Sequence, residues 1–370
     1  MRPVRTLLLG REPHGEDPKS APRVGDLAPS VIELGVEVSG INPELGSAEA
    51  CAVAQGLGGE LAERLSREGP ALIHFAFRDE PTARSAAERL ALARRCLLLW
   101  RESGLDELQV RFFEEGKRGQ SAAFRRFGSS QGSLDSASIM ELGSAYRAGG
   151  GSIDLNHPQR RFWLFYEGNR VVGASEEVAR PDHGSLRRRA MPHLPFQRPI
   201  SLPVPLARAT VNLAGISPGA RVADPFVGTG ALLCEAALVG AKVTGVDRDA
   251  RMVRGANQNL SHLGRTAEEL IAGDAEDVAR RWTKPRFDAV VTDPPYGRAS
   301  STGKEPPDDL LARVLPAWAK LVVPKGRIVL VVPGGPDALS YPWTRTISVP
   351  QRVHRSLTRE FRVYQREQNP

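Results

Sequence analysis

From Arg221 to Pro333 the chain alternates short apolar runs with stretches at helical spacing: RVADPF, a helix at Ala231 to Val239, KVTGVD, a helix at Ala250 to Leu263, EELIAGD, FDAVVTDPPY, a helix at Asp308 to Leu321, and RIVLVVP. Strands separated by helices cannot pair as hairpins. They require a parallel sheet with helices on both faces, which makes the fold class α/β and the C-terminal domain, about 206–370, Rossmann-like.

The upstream half is patterned differently and reads as α+β. Residues 1–30, proline-rich and without periodicity, read as a flexible leader. A small α/β unit is expected over 31–104: a strand in VIELGVEVSG, a helix with Leu45, Ala48, Cys51 and Ala52 on one face, a strand at Ala71 to Phe77, and a helix from Pro81 to Trp100 with Leu90, Ala93, Leu97 and Trp100 on one stripe. A second unit is expected over 105–180. In it LQVRFFEE and RRFWLFYE read as strands flanking a helix at Ser136 to Tyr146, and VVGASEEVA adds another strand. The proline- and arginine-rich segment 181–205 reads as a linker.

With 370 residues, 41% of them apolar, the chain can bury at least two cores. Its longest apolar stretch, Ala91 to Trp100, is broken by Arg94 and Arg95, and TLLLG near the start is too short for a secretory signal, so no membrane partner and a cytoplasmic location are expected. Cys51, Cys96 and Cys234 are scattered, which supports neither disulfides nor a metal site; they read as buried thiols. The net charge of +7 is unevenly spread: residues 111–126 carry +3, 155–198 carry +4 and 345–366 carry +5. Such concentration suits a polyanion, a nucleic acid, with Arg187, Arg188 and Arg189 as candidate phosphate contacts.

The strand ends carry the chemistry. In a doubly wound sheet the ligand crosses the carboxyl ends of the strands, and in Asp224-Pro225-Phe226-Val227-Gly228-Thr229-Gly230 the glycines let backbone approach it closely. A dinucleotide fingerprint needs a third glycine where this chain has Leu233, which disfavours NAD. Asp247, 23 residues after Asp224, is placed for ribose hydroxyls, and Asp274 for an adenine amine. Together these favour S-adenosylmethionine, and Asn212, on the helix before the first strand, is a further candidate donor contact.

Sixty-nine positions after Asp224 comes Asp293-Pro294-Pro295-Tyr296-Gly297. A carboxylate and a prolyl carbonyl can accept both N–H bonds of an exocyclic NH2 while the tyrosine stacks on the ring. Those bonds favour a pyramidal nitrogen whose lone pair is free to take a methyl group. Alignment of nucleophile and methyl supplies much of the remaining catalysis, and the base must be flipped or unpaired to enter. Arg298 is a candidate substrate contact, the 300–307 segment a candidate lid, and His354 reads as a surface residue.

The stretches SGINPELGSAEACAVAQGLGG, PFQRPISLPVPLARATVNLAG, DPFVGTGALLCEAALVGAKVTGVD, TDPPYGRASST and VHRSLTREFRVY resemble the archaeal tRNA (guanine-10, N2)-methyltransferases. The resemblance implies a ferredoxin-like region over 31–104, a THUMP tRNA-binding domain over 105–180, and a class I methyltransferase domain that uses S-adenosylmethionine on tRNA rather than DNA, with a monomer as the expected state. Alternative readings are adenine-N6 methylation, which uses the same tetrapeptide, and a non-catalytic tRNA-binding protein.

Overall fold

The computed structural model describes residues 31–38, 42–65, 72–127, 136–167, 170–181, 186, 189, 193–198, 201–295, 305–335, 337–340, 342–354 and 357–367. The leader, Tyr296, Arg298, Arg187, Arg188, most of the 300–307 segment and the His354 side chain lie outside the described residues.

The chain opens with β1 (Ile32–Val38), α1 (Pro43–Gly56), β2 (Glu60–Leu65), β3 (Leu72–Phe77), α2 (Glu80–Arg89) and β4 (Ala93–Leu99). Antiparallel pairing in the order β2-β3-β1-β4 is the arrangement of the ferredoxin-like split βαβ motif. Asn42 and Asp79 cap the two helices through Leu45 N–H and Thr82 N–H, at 3.1 and 2.8 Å. The single helix expected from Pro81 to Trp100 is corrected: α2 ends at Arg89, Leu90 turns extended, and β4 follows. Cys96, Leu97 and Leu98 are all buried, so this apolar run is a strand covered on both faces, and burial on both faces erases the period that separates strand from helix.

Next come α3 (Leu105–Gly116), β5 (Ser121–Arg126), α4 (Ser136–Ala148), β6 (Ser152–Ile153), β7 (Arg160–Glu167) and β8 (Arg170–Ala179). LQVRFFEE is therefore helical, a second correction. Leu108, Phe112 and Glu115 share its buried face, Val110 and Phe113 point outward, and Asp106 and Glu107 complement its N-terminal dipole. The boundary expected at 104/105 does not interrupt the sheet. β4 pairs with β8, giving one eight-stranded sheet in the order β2-β3-β1-β4-β8-β7-β5-β6, over which two separate apolar clusters form.

The C-terminal half comprises α5 (Val204–Leu213), β9 (Arg221–Asp224), α6 (Ala231–Leu238), β10 (Lys242–Asp247), α7 (Ala250–His262), β11 (Glu269–Ala272), α8 (Ala275–Ala279), β12 (Phe287–Thr292), α9 (Pro307–Ala319), β13 (Val322–Pro333), β14 (Trp343–His354) and β15 (Leu357–Arg366). The sheet order is β11-β10-β9-β12-β13-β15-β14, parallel through β13, with β15 inserted antiparallel between β13 and β14. Strand order reverses between β9 and β12, which opens the crevice where a doubly wound sheet binds its ligand. Two apolar clusters cover its faces, one with Val222, Val243 and Val329, the other with Val290, Trp318 and Ile328. Leu45 and Ala48 of α1 join the first, so the two halves share a core. No helix among the described residues is long and apolar enough to cross a membrane.

Candidate active site

Asp224 ends β9 and Asp293 follows β12, on either side of the switch point. Asp224 is buried, and its Oδ1 accepts hydrogen bonds from Thr292 Oγ1 at 2.6 Å and from Phe226 N–H at 3.0 Å. Burial raises its pKa to about 7; the hydrogen bonds from Thr292 and Phe226 oppose the rise, and the charges of Asp293 and Asp247 add to it. Pro294 is buried and Pro295 half-buried immediately beyond Asp293.

The glycine-rich turn lies against the end of β10. Gly228 N–H donates to Asp247 Oδ2 and Asp249 N–H to Asp247 Oδ1, both at 2.9 Å. Burial raises the pKa of Asp247 despite those two bonds. Gly228 and Gly230 have φ of 51° and 82°, in the left-handed region that favours glycine. A Cβ on Gly230 would come within 2.9 Å of the Ala256 Cβ, whereas one on Gly228 would meet only the Phe226 carbonyl at 3.9 Å. The turn thus packs tightly on α7 at one glycine and leaves open space above the other. Phe226 is half-buried against the second cluster.

Several residues that motif spacing did not reveal hold this turn. Asn259 of α7 is fully buried; it accepts from Phe196 N–H at 3.0 Å and donates to the carbonyls of Phe196 and Thr229, each at 2.9 Å. Thr229 Oγ1 lies 3.0 Å from Ser201 Oγ. The Phe196 ring fills the space where a side chain on Gly255 would be, 2.1 Å from such a Cβ. The signal for Asn259 is its place between Ala256 and Leu260, a polar residue on a buried face.

Asp274 caps α8, accepting from Glu276 N–H at 2.9 Å, and its carboxylate also accepts from Arg313 Nη1 at 2.9 Å. Arg313 in turn reaches Glu305 and Glu276, and it holds Asp274 below the usual carboxylate range.

Two expected site residues belong elsewhere. Asn212 is fully buried between the two halves: it accepts from Arg89 Nε at 2.8 Å and donates to Glu49 Oε1 at 2.7 Å and the Arg89 carbonyl at 3.0 Å. Its amide is consumed at the interface, not at the donor crevice. Arg189 is held by Glu235 at 2.9 Å, a carboxylate it shares with Arg208, so it is an internal ion pair rather than a free phosphate contact.

Residues 193–355 match the family described as "RMKL-like, methyltransferase domain" (UPF0020). The match lies in the C-terminal half of the chain, from the segment before α5 through β14. Among relatives, the tRNA (guanine(10)-N2)-dimethyltransferase of Methanothermobacter thermautotrophicus is 42% identical over 182 residues, 48% of this chain and 53% of that protein. The protein of the same name from Pyrococcus abyssi is 39% identical over 173 residues, 46% and 51% of the two chains. The tRNA (guanine(10)-N(2))-methyltransferase of Saccharomyces cerevisiae is 26% identical over 185 residues, 44% and 42%. The matched stretch thus spans about half the length of these relatives.

Proposed function

We propose that the chain methylates the exocyclic N2 amine of a guanosine in tRNA, at position 10, using S-adenosylmethionine, in the cytoplasm. The observation that carries the reading is the convergence of Asp224, Asp247 and Asp293 around an open glycine turn at the switch point, with a prolyl carbonyl next to the last of them. The charges of Asp293 and Asp247 make Asp224 harder to ionise, so the crevice favours a cationic ligand. The donor fits on those grounds, with room above Gly228 for its chain and an acidic wall for its charges. When bound, it supplies an electrophilic methyl group on a sulfonium.

In this reading Asp247, already oriented by two backbone N–H groups, has lone pairs left for ribose hydroxyls. Asp274 keeps acceptor capacity for an adenine amine beside Arg313, and Asp224 faces the charged end. Asp293 Oδ and the Pro294 carbonyl accept the two N–H bonds of the target amine and stabilise the pyramidal nitrogen, an interaction strongest in the transition state. The carboxylate then lies beside the ammonium proton released after transfer. The upstream half, which we read as a THUMP-like unit over 105–180 beside the ferredoxin-like one, would hold the RNA. Mass spectrometry of nucleosides from tRNA incubated with the protein and donor tests the reading: methylated guanosine at N2 is expected, and N6-methyladenosine or unmodified RNA would overturn it.

A further inference from the structure

A cavity of about 280 Å³ opens beside the catalytic turn, walled by Pro294 and Pro295 at the end of β12, the first turn of α9, and the end of β13 with Val332. It is small for a drug-sized ligand, which needs about 300–1,000 Å³, and suits a group the size of one nucleobase. The proline rings and Val332 offer apolar surface for a ring system. The charged groups around it differ sharply in their commitments. Arg362 donates to Glu360 at 2.8 Å and to the Gly335 carbonyl at 2.7 Å, and Asp337 accepts from Tyr364 Oη at 3.0 Å and pairs with Arg345 at 2.9 Å. Asp308 and Asp309 are exposed on the rim and make no side-chain hydrogen bond or ion pair among the described residues.

Building on the proposed reaction, we infer that this cavity receives the target base and that a carboxylate of the α9 first turn, Asp308 or Asp309, accepts its ring N1–H, so that the pocket selects guanine over adenine. The chemistry of the base edge requires such an acceptor. Guanine presents N1–H directly beside the 2-amine, so once Asp293 and Pro294 take the amine, a second donor points at the adjacent wall. Adenine presents its amine beside an N1 lone pair, which a carboxylate there would repel. The tetrapeptide serves either amine, so discrimination must come from the neighbouring group, and the uncommitted acceptors bordering this cavity are on α9. A site built to bond a donor discriminates strongly against an analogue that lacks it.

The test uses the full chain and tRNA carrying either guanine or 2-aminopurine at the target position; the latter keeps the 2-amine and lacks N1–H. Wild-type kcat/KM should favour guanine, and either Asp308→Asn or Asp309→Asn should shrink the guanine-to-aminopurine ratio by ~10- to 100-fold, the value of one good base-edge contact. Each ratio is internal to one protein, so partial unfolding cancels. If wild type transfers to guanine and both variants keep its ratio to within about twofold, the pocket assignment is wrong while the reaction stands. If wild type transfers to neither RNA, the proposed reaction fails and this inference with it.

Discussion

Replacing Asp224 by asparagine should change how stability depends on pH more than it changes stability itself. The folded-state pKa of about 7 lies above the ordinary 3.8, so the protonated form is the one that folding favours. For a carboxyl raised in this way, the favourable contribution is complete below pH 3.8 and is lost as pH rises through about 7. Roughly three pH units at about 1.36 kcal/mol each set an upper bound of about 4 kcal/mol lost by the wild-type apoprotein between about pH 4 and pH 8. The substituted amide stays neutral, and its oxygen can still accept from Thr292 and Phe226. The Asp224→Asn variant should therefore gain on the wild type as pH rises, by a melting-temperature difference of about 5 °C at most. Thermal unfolding of both proteins without donor from about pH 5 to pH 9 measures this. Donor affinity should move the other way. A cation in the crevice favours the ionised carboxyl, so wild-type affinity should climb by up to about tenfold per unit as pH approaches 7, with protons released on binding. Calorimetry in buffers of different ionisation enthalpy detects that release. Parallel melting curves, or binding without proton release at about pH 6, would refute the electrostatic account of the crevice.

Asp293→Ala should cut methyl transfer by roughly 10²–10³-fold, as loss of one transition-state contact does, while donor affinity measured by calorimetry barely changes; transfer above a tenth of wild type would remove its role. Asp247→Ala should weaken donor binding by about 1.5–3 kcal/mol, the value of hydrogen bonds to a charged group, and unchanged affinity would reassign it. Asn259→Ala orphans three backbone groups of the Phe196 and Thr229 segments at a cost of about 2–4 kcal/mol, and the donor dissociation constant should rise with it; a destabilised variant with wild-type donor affinity would make Asn259 purely structural. Asn212→Ala should spare donor binding and reduce transfer to tRNA, and the reverse result would return it to the donor site.

The catalytic half was legible because its strand ends carry the chemistry: Asp224, Asp247, Asp274 and Asp293 were expected at carboxyl ends and are found there. Thr292 was legible in retrospect as the residue preceding the tetrapeptide, yet its bond to Asp224 depends on β9 and β12 being neighbours, an order that alternation alone does not dictate. The upstream half read less well for a physical reason. In LQVRFFEE, adjacent Phe112 and Phe113 suggest a strand, but one is buried and the other exposed, as helical geometry dictates. Between Leu90 and Leu99, burial on both faces left no period to read. Asn212 failed for another reason: its partners Glu49 and Arg89 lie 163 and 123 positions away, and only the packing of the two halves brings them together.

That packing argues against treating the methyltransferase domain as separable. Glu49 is buried with its pKa raised by desolvation, and it is held by Asn212 and the N–H groups of Ala91 and Leu92, both at 2.9 Å. Arg89 also donates to the Ile216 carbonyl at 2.6 Å. Truncation removes both charged members of this junction and leaves Asn212 and the Ile216 carbonyl facing water, so what the domain loses is their buried hydrogen bonds and the packing around them. Truncation would also uncover the α5 face that Leu45 and Ala48 bury, and would free Gly215, whose carbonyl lies 2.3 Å from where a Cβ on Gly56 would stand. A fragment of residues 193–370 should therefore unfold well below the temperature at which the same domain unfolds in the intact chain. Scanning calorimetry of the fragment and the full chain decides the matter: equal melting temperatures would mean that the junction positions the upstream half without stabilising the domain it grips.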